Sequence, residues 1–137
     1  MKKIIALVVF AFIWLGCGKA DSVIPSVAVN FVASLTDPRL SPLNVAGGTV
    51  LISGYGVAGI ILYREPDNTY VAYDRCSTYL PQNLCAVTLD PGNFTVTDPC
   101  SGSKFSLLDG TPVKGPATKS LKSYYVSVSN YEIYVSN

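Results

Sequence analysis

The stretch GGTVLISGYGVAGIILYREPDNTYVAY, residues 47–73, decides the fold class. It holds three short runs rich in β-branched and aromatic residues: Thr49–Ser53, Ile60–Arg64 and Tyr70–Tyr73. Glycines separate the first two runs, and Glu65-Pro66-Asp67-Asn68 separates the last two. Short apolar runs bounded by turn-forming residues are typical of β-strands. This stretch therefore predicts three consecutive strands.

The same pattern continues on both sides of this stretch. Further strand-like runs are Val27–Val32, Ala86–Leu89, Phe94–Thr97, Phe105–Leu108, Tyr124–Val128 and Tyr131–Val135. Turn-forming residues lie between them, as in Asp90-Pro91-Gly92-Asn93 and Asp109-Gly110. Since no window of residues 27–137 keeps a helical apolar period, we predict one all-β domain over this range, an antiparallel sandwich or barrel.

Composition excludes several classes of function. The chain has 137 residues, which suits a single domain, and it contains no histidine. Histidine-based acid–base catalysis, Ser–His–Asp triads and histidine-containing metal sites are therefore excluded. Without Lys2 and Lys3 the ten basic residues fall to eight against nine acidic ones, a net charge of −1. A balance of this kind offers no basic surface for nucleic acid.

The N-terminus is typical of an export signal. Met1-Lys2-Lys3 precedes an apolar run, Ile4–Leu15, which as a helix would span roughly 18 Å, against ~30 Å for a bilayer core. Leu15-Gly16-Cys17 resembles a bacterial lipobox, although Trp14 departs from the usual aliphatic residue. We predict a signal peptide at 1–16, acylation of Cys17 and a tether at 17–26. The alternative is ordinary cleavage after Gly18-Lys19-Ala20.

Either form of cleavage places the domain outside the cytoplasm, where disulfides persist. With Cys17 acylated, the expected location is the bacterial cell envelope, with a lipid anchor in the outer membrane as the membrane partner. The leaflet is left open.

Three cysteines remain in the domain: Cys76, Cys85 and Cys100. An odd number in an oxidising compartment allows at most one bridge and leaves one thiol. The count alone does not select the pair.

The residues around these cysteines resemble a known family. The first loop has Cys76-Ser77-Thr78, and the second has Asp98-Pro99-Cys100-Ser101-Gly102-Ser103. Gly115-Pro116-Ala117 follows downstream. In this order, and with their flanks, these segments resemble the two cluster loops and the proline loop of Rieske [2Fe–2S] domains. The resemblance covers roughly residues 28–137. Within the family, the chain is similar to small Rieske-like lipoproteins of Bacteroidetes-type bacteria.

The resemblance implies a Rieske-like fold with a small two-loop apical subdomain, and it implies ligand positions. The two cysteine positions fall on Cys76 and Asp98, and the two histidine positions fall on Thr78 and Ser101. Three of the four ligands are thus replaced, so we expect no cofactor and no metal. Cys85 and Cys100 match the disulfide that joins the loops in respiratory-type members.

These positions predict a non-enzymatic binding or structural module. An envelope protein would contact the apical loops, which we define as Cys76–Leu84, Asp98–Ser103 and Lys114–Ala117. Two alternatives are kept open: electron transfer by a [2Fe–2S] cluster, which is the family default, and thiol redox chemistry at Cys76. The latter requires an accessible, acidic thiol.

The remaining polar residues point to turns. Asp90, Asp98 and Asp109 precede Pro or Gly, where aspartate is a turn former, so we favour turns over an acidic metal site. Ser101-Gly102-Ser103 has no base in reach except Lys104, whose side chain is expected to point away. A serine hydrolase is rejected, and no catalytic residue is assigned.

Overall fold

The computed structural model describes residues 23–137. The predicted signal peptide (1–16) and the predicted acylation site, Cys17, lie outside the described residues. Within the described range no helix is long and apolar enough to cross a bilayer.

Ten strands make up most of the regular structure of residues 23–137. Their bounds are β1 Asn30–Ser34, β2 Thr49–Ile52, β3 Ile60–Arg64, β4 Tyr70–Asp74, β5 Thr88–Leu89, β6 Thr95–Thr97, β7 Lys104–Ser106, β8 Pro112–Lys114, β9 Ser123–Ser129 and β10 Glu132–Ser136. Two short 3-10 segments, Pro38–Asn44 and Pro81–Asn83, complete it.

The strands form two antiparallel sheets. The larger sheet has the order β1-β10-β9-β4-β3-β2, and the smaller one has the order β5-β6-β7-β8. Every strand pair is antiparallel, and β3 occupies the residues expected for it, Ile60–Arg64. The predicted antiparallel all-β fold is therefore confirmed.

Strand β3 separates two apolar clusters. Ile60 and Leu62 pack into the first cluster, whereas Ile61 and Tyr63 pack into the second. Successive side chains of a strand point to opposite faces, so a strand buried on both faces reads as a continuous apolar run. The second cluster includes Phe105 of the small sheet, and it joins that sheet to the large one.

Two segments add to what the sequence predicts. Pro38–Asn44, which carried no strand pattern, forms a 3-10 turn that buries Leu40 and Leu43, with Asp37 as its N-cap. The chain also packs on the domain before residue 27. Ile24 is buried, and Lys122 Nζ donates to the carbonyl of Pro25 at 3.1 Å. Residues 24–25 of the predicted tether are thus part of the folded domain.

Both sheets contribute to the apical loops. Strand β4 of the large sheet leads directly into Cys76–Leu84. Strands β6 and β7 of the small sheet flank Asp98–Ser103, and β8 ends at Lys114, where the third loop begins. The apical loops are therefore connected to strands of both sheets.

Candidate functional site

A disulfide ties Cys85, the residue that follows the first apical loop, to the second apical loop. Cys85 and Cys100 are bonded, and their Cα atoms are 6.3 Å apart. The first loop is also tied to itself, because the Ser77 amide donates to the Cys85 carbonyl at 2.8 Å. The pairing implied by the family resemblance is confirmed.

Asp98 is the polar centre of the apical loops. Its side chain is fully buried, at 0% exposure. Oδ2 accepts hydrogen bonds from the hydroxyls of Ser77 (2.7 Å) and Ser101 (2.6 Å). Oδ1 accepts one from the amide of Cys100 at 2.8 Å. The turn role expected for Asp98 is present in the Cys100 contact, but it is only part of the arrangement. The bond from Ser77 crosses to the other loop.

The same network reaches the third apical loop. Ser101 Oγ lies 2.8 Å from Ser103 Oγ, and Ser103 Oγ accepts from the amide of Ala117 at 2.9 Å. Ala117 follows the cis peptide Gly115–Pro116 and is buried. One chain of hydrogen bonds therefore links all three apical loops through Asp98, Ser101 and Ser103.

These donors keep Asp98 charged. Burial would raise the pKa of its carboxyl group. The hydrogen bonds from Ser101, Ser77 and the Cys100 amide outweigh burial and hold the pKa below its usual value. A buried carboxylate is tolerated in such a place only when donors surround it.

The other two predicted ligand positions are engaged with the backbone. Thr78 Oγ1 donates to the carbonyl of Lys119 at 2.6 Å. Cys76 Sγ lies 3.7 Å from the carbonyl oxygens of Ser77 and Pro81. The structure thus brings Asp98 and Ser101 into direct contact. Cys76 and Thr78 are the chain neighbours of Ser77, whose hydroxyl also binds Asp98.

Cys76 has the environment of an unreactive thiol. It is fully buried and unpaired. Burial, together with the carboxylates of Asp74 and Asp98, raises the pKa of its thiol to about 11. Reactive cysteines need access and a stabilised thiolate. The accessible, acidic thiol that redox chemistry at Cys76 would require is not found.

A second buried carboxylate, Asp74, was missed by the sequence reasoning. It accepts hydrogen bonds from the amides of Val57 (2.6 Å), Ala58 (3.1 Å) and Cys76 (2.7 Å), and from Tyr124 Oη (2.6 Å). It fixes the start of the first apical loop against the glycine-rich segment that precedes β3. Its position after four strand residues gave no signal, because an acidic residue there is also typical of a solvated strand end.

The other acidic candidates serve turns. Asp90 accepts hydrogen bonds from Thr95 and Thr97 across its hairpin and pairs with Lys104 Nζ at 2.9 Å. Lys104 is thereby directed to the hairpin rather than to Ser101. Asp109 binds the amide and hydroxyl of Thr111 two residues away.

One group of possible metal ligands occurs in residues 23–137. The sulfurs of Cys85 and Cys100 and a carboxylate oxygen of Asp98 all lie within 4.8 Å of one another. Both sulfurs are bonded to each other in this state, so they are not free to act as thiolate ligands.

Comparison with known proteins identifies the architecture. No family model and no curated protein sequence matches this chain. Among solved structures it resembles the plasma membrane Rieske protein PetC3 from Synechocystis PCC 6803, with a TM-score of 0.57 and 22% identity. That match covers 80% of this chain and 98% of the other.

A second match is the complex of reduced oxygenase and oxidized ferredoxin in carbazole 1,9a-dioxygenase. Its TM-score is 0.51 at 22% identity, over 80% of this chain and 99% of that chain. At this identity the likeness establishes the fold, and the chain has a Rieske-like fold, as the loop motifs predicted.

Proposed function

We propose that this chain is a cell-envelope lipoprotein whose Rieske-like domain has lost its cluster and acts as a non-enzymatic binding or structural module. The observation that carries the proposal is the network around Asp98. A residue at a predicted ligand position uses its carboxylate to hold the loops that a cluster would otherwise join.

The donor set does not fit a [2Fe–2S] cluster of the Rieske type, which needs two cysteines and two histidines. The positions carry Cys76, Thr78, Asp98 and Ser101, and the sequence has no histidine to recruit. Neutral hydroxyls are weak ligands for iron compared with imidazole or thiolate. Thr78 and Asp98 are further committed to the Lys119 carbonyl and to three protein donors.

The partner surface in this proposal is the apex of the apical loops. Leu80 and Leu84 are 45% and 58% exposed, although leucine favours burial. Both lie at φ near +50°, a conformation that costs a leucine free energy. Exposed apolar side chains on a rigid, disulfide-bonded support are typical of protein contact sites.

A capture experiment tests this surface. Leu80→Asn and Leu84→Asn together remove the apolar side chains while asparagine tolerates the left-handed backbone. We expect the double variant to lose at least tenfold of its capture of an envelope partner in a pull-down, with little change in melting temperature. Leu108→Asn, at a residue that is 50% exposed in another loop, is the matched control. Capture that survives in the double variant would mean that the apex is not the site.

Attachment to the membrane is tested separately at Cys17. The proposal expects labelling of the chain by a fatty-acid precursor and recovery in the outer-membrane fraction. Cys17→Ser should abolish both. Labelling that persists in this variant would remove the lipid anchor from the proposal.

Electron transfer is the second candidate function, favoured by the fold shared with a Rieske protein and a ferredoxin complex. It predicts a coloured protein with about two irons per chain. A colourless, iron-free preparation made without oxygen would exclude it.

A further inference from the structure

Cys85, Cys100 and Asp98 form a compact group of possible metal ligands that the proposed binding role does not use. Its three potential ligand atoms lie within 4.8 Å of one another. The Cα separation of 6.3 Å lets the two sulfurs either bond or move apart by side-chain rotation to share one ion. Cys85 is partly exposed and Cys100 is exposed, so a reductant and a metal ion can reach them.

Other contacts hold the loops once the disulfide is opened. Ser77 remains bonded to the Cys85 carbonyl through its amide and to Asp98 through its hydroxyl. Cys76 and Ala86 form a β-bridge at the base of the same loop. On the other side Ser103 is held by Ala117. Both sulfurs should therefore stay near Asp98 after reduction.

The Asp98 carboxylate is a suitable third ligand for a divalent cation. One carboxylate oxygen of Asp98 lies within 4.8 Å of both sulfurs. Oδ1 accepts from the amide of Cys100, and each carboxylate oxygen offers about two acceptor positions, so one position can serve an ion while Ser77 and Ser101 stay bonded to Oδ2. Two thiolates and one carboxylate would place three negative charges around a divalent metal.

We propose that reduction of the Cys85–Cys100 disulfide creates a Zn²⁺ site made of Cys85 Sγ, Cys100 Sγ and Asp98, with water as the fourth ligand. A dithiol supplies two electrons and two protons to the sulfur–sulfur bond and becomes a disulfide itself. Zn²⁺ then displaces the two thiol protons into solvent. Zinc suits this set because it takes thiolate and carboxylate ligands in tetrahedral geometry, with Zn–S of about 2.3 Å. In the reverse step a disulfide oxidant accepts the two electrons and, with two protons from solvent, becomes a dithiol; the Cys85–Cys100 bond forms again and the ion is released.

The test is metal titration of the mature chain before and after anaerobic treatment with a dithiol, which is then removed. Co²⁺ is the spectroscopic probe, since thiolate ligation gives a charge-transfer absorption, and Zn²⁺ is the competitor. We expect one Co²⁺ per chain, displaced by Zn²⁺, in the reduced protein, and at least a hundredfold weaker binding in the oxidised protein. Equal binding in both states would overturn the proposal.

Single variants identify the ligands. In the reduced state Cys85→Ser and Cys100→Ser should each lower affinity at least tenfold, whereas Cys76→Ser should leave it unchanged. Asp98→Asn should also weaken binding. If the Asp98→Asn variant does not fold, the two cysteine variants alone test whether these residues bind the metal. Binding that depends on Cys76, or that survives both cysteine variants, would contradict the site.

Folding of the reduced chain must be measured in the same samples. The near-ultraviolet circular dichroism of its tyrosines should persist, and Cys76 should remain protected from alkylation. Loss of either signal on reduction would mean that the metal binds an unfolded chain, and the proposal would fail.

Discussion

Removal of the Asp98 carboxylate should destabilise the domain more than any surface change of similar size. In Asp98→Ala, the amide of Cys100 and the hydroxyls of Ser77 and Ser101 lose their acceptor; the bond from Ser77 is buried and the other two are partly buried. A buried donor left unpaired costs about 1–3 kcal/mol. The backbone fixes the direction of the amide, whereas both hydroxyls can rotate and recover part of the loss. We therefore expect a loss of about 3 kcal/mol in the free energy of unfolding.

The measurement is urea unfolding of the oxidised mature domain, followed by circular dichroism. Asp109→Ala is the matched control, because Asp109 is exposed and binds only within its own turn. We expect its cost to stay below about 1 kcal/mol, as at most surface positions. For Asp98→Ala the midpoint should fall with little change in slope. A loss as small as that of the control would refute the idea that Asp98 holds the loops together.

Three further predictions concern the same loops. Since the folded pKa of Asp98 is lowered, its contribution is present above the unfolded pKa of about 4 and is lost as pH falls through the folded value. Below about pH 5, stability should thus fall more steeply with decreasing pH in the wild type than in Asp98→Asn, and parallel curves would contradict this. With a thiol pKa of about 11, Cys76 should resist alkylation at pH 8 in the native protein and react in urea. Rapid native labelling would show that the thiol is accessible. Cys85→Ser with Cys100→Ser should cost about 3 kcal/mol for a loop of this length, measured by urea unfolding against the oxidised wild type. No measurable cost would mean that the other contacts alone hold the loops.

The strands were predictable because their signals are local. Ile60–Arg64 is an apolar run between a glycine cluster and a Pro-Asp turn, and it forms β3 over these residues. Strand β1 begins later than its pattern, at Asn30, because β10 pairs with residues 30–34 only. The length of the neighbouring strand sets such a boundary, and no local sequence pattern gives that length.

The centre of the site was predictable only in part. Asp98 before Pro99 predicts a turn, and the Cys100 contact agrees with it. Its bond to Ser77 spans 21 residues and depends on the two sheets bringing their loops together. The family resemblance named the positions, but it could not show that a carboxylate at one of them would bind a serine from the facing loop.

The central claim is that the domain keeps a Rieske-like fold without a [2Fe–2S] cluster, and an iron assay tests it most directly. The mature chain should be purified without oxygen from cells supplied with iron, then assayed for iron and sulfide and by electron paramagnetic resonance after reduction with dithionite. The account predicts a colourless protein with less than about 0.1 iron per chain and no cluster signal. About two irons and two sulfides per chain, with a cluster signal, would contradict it.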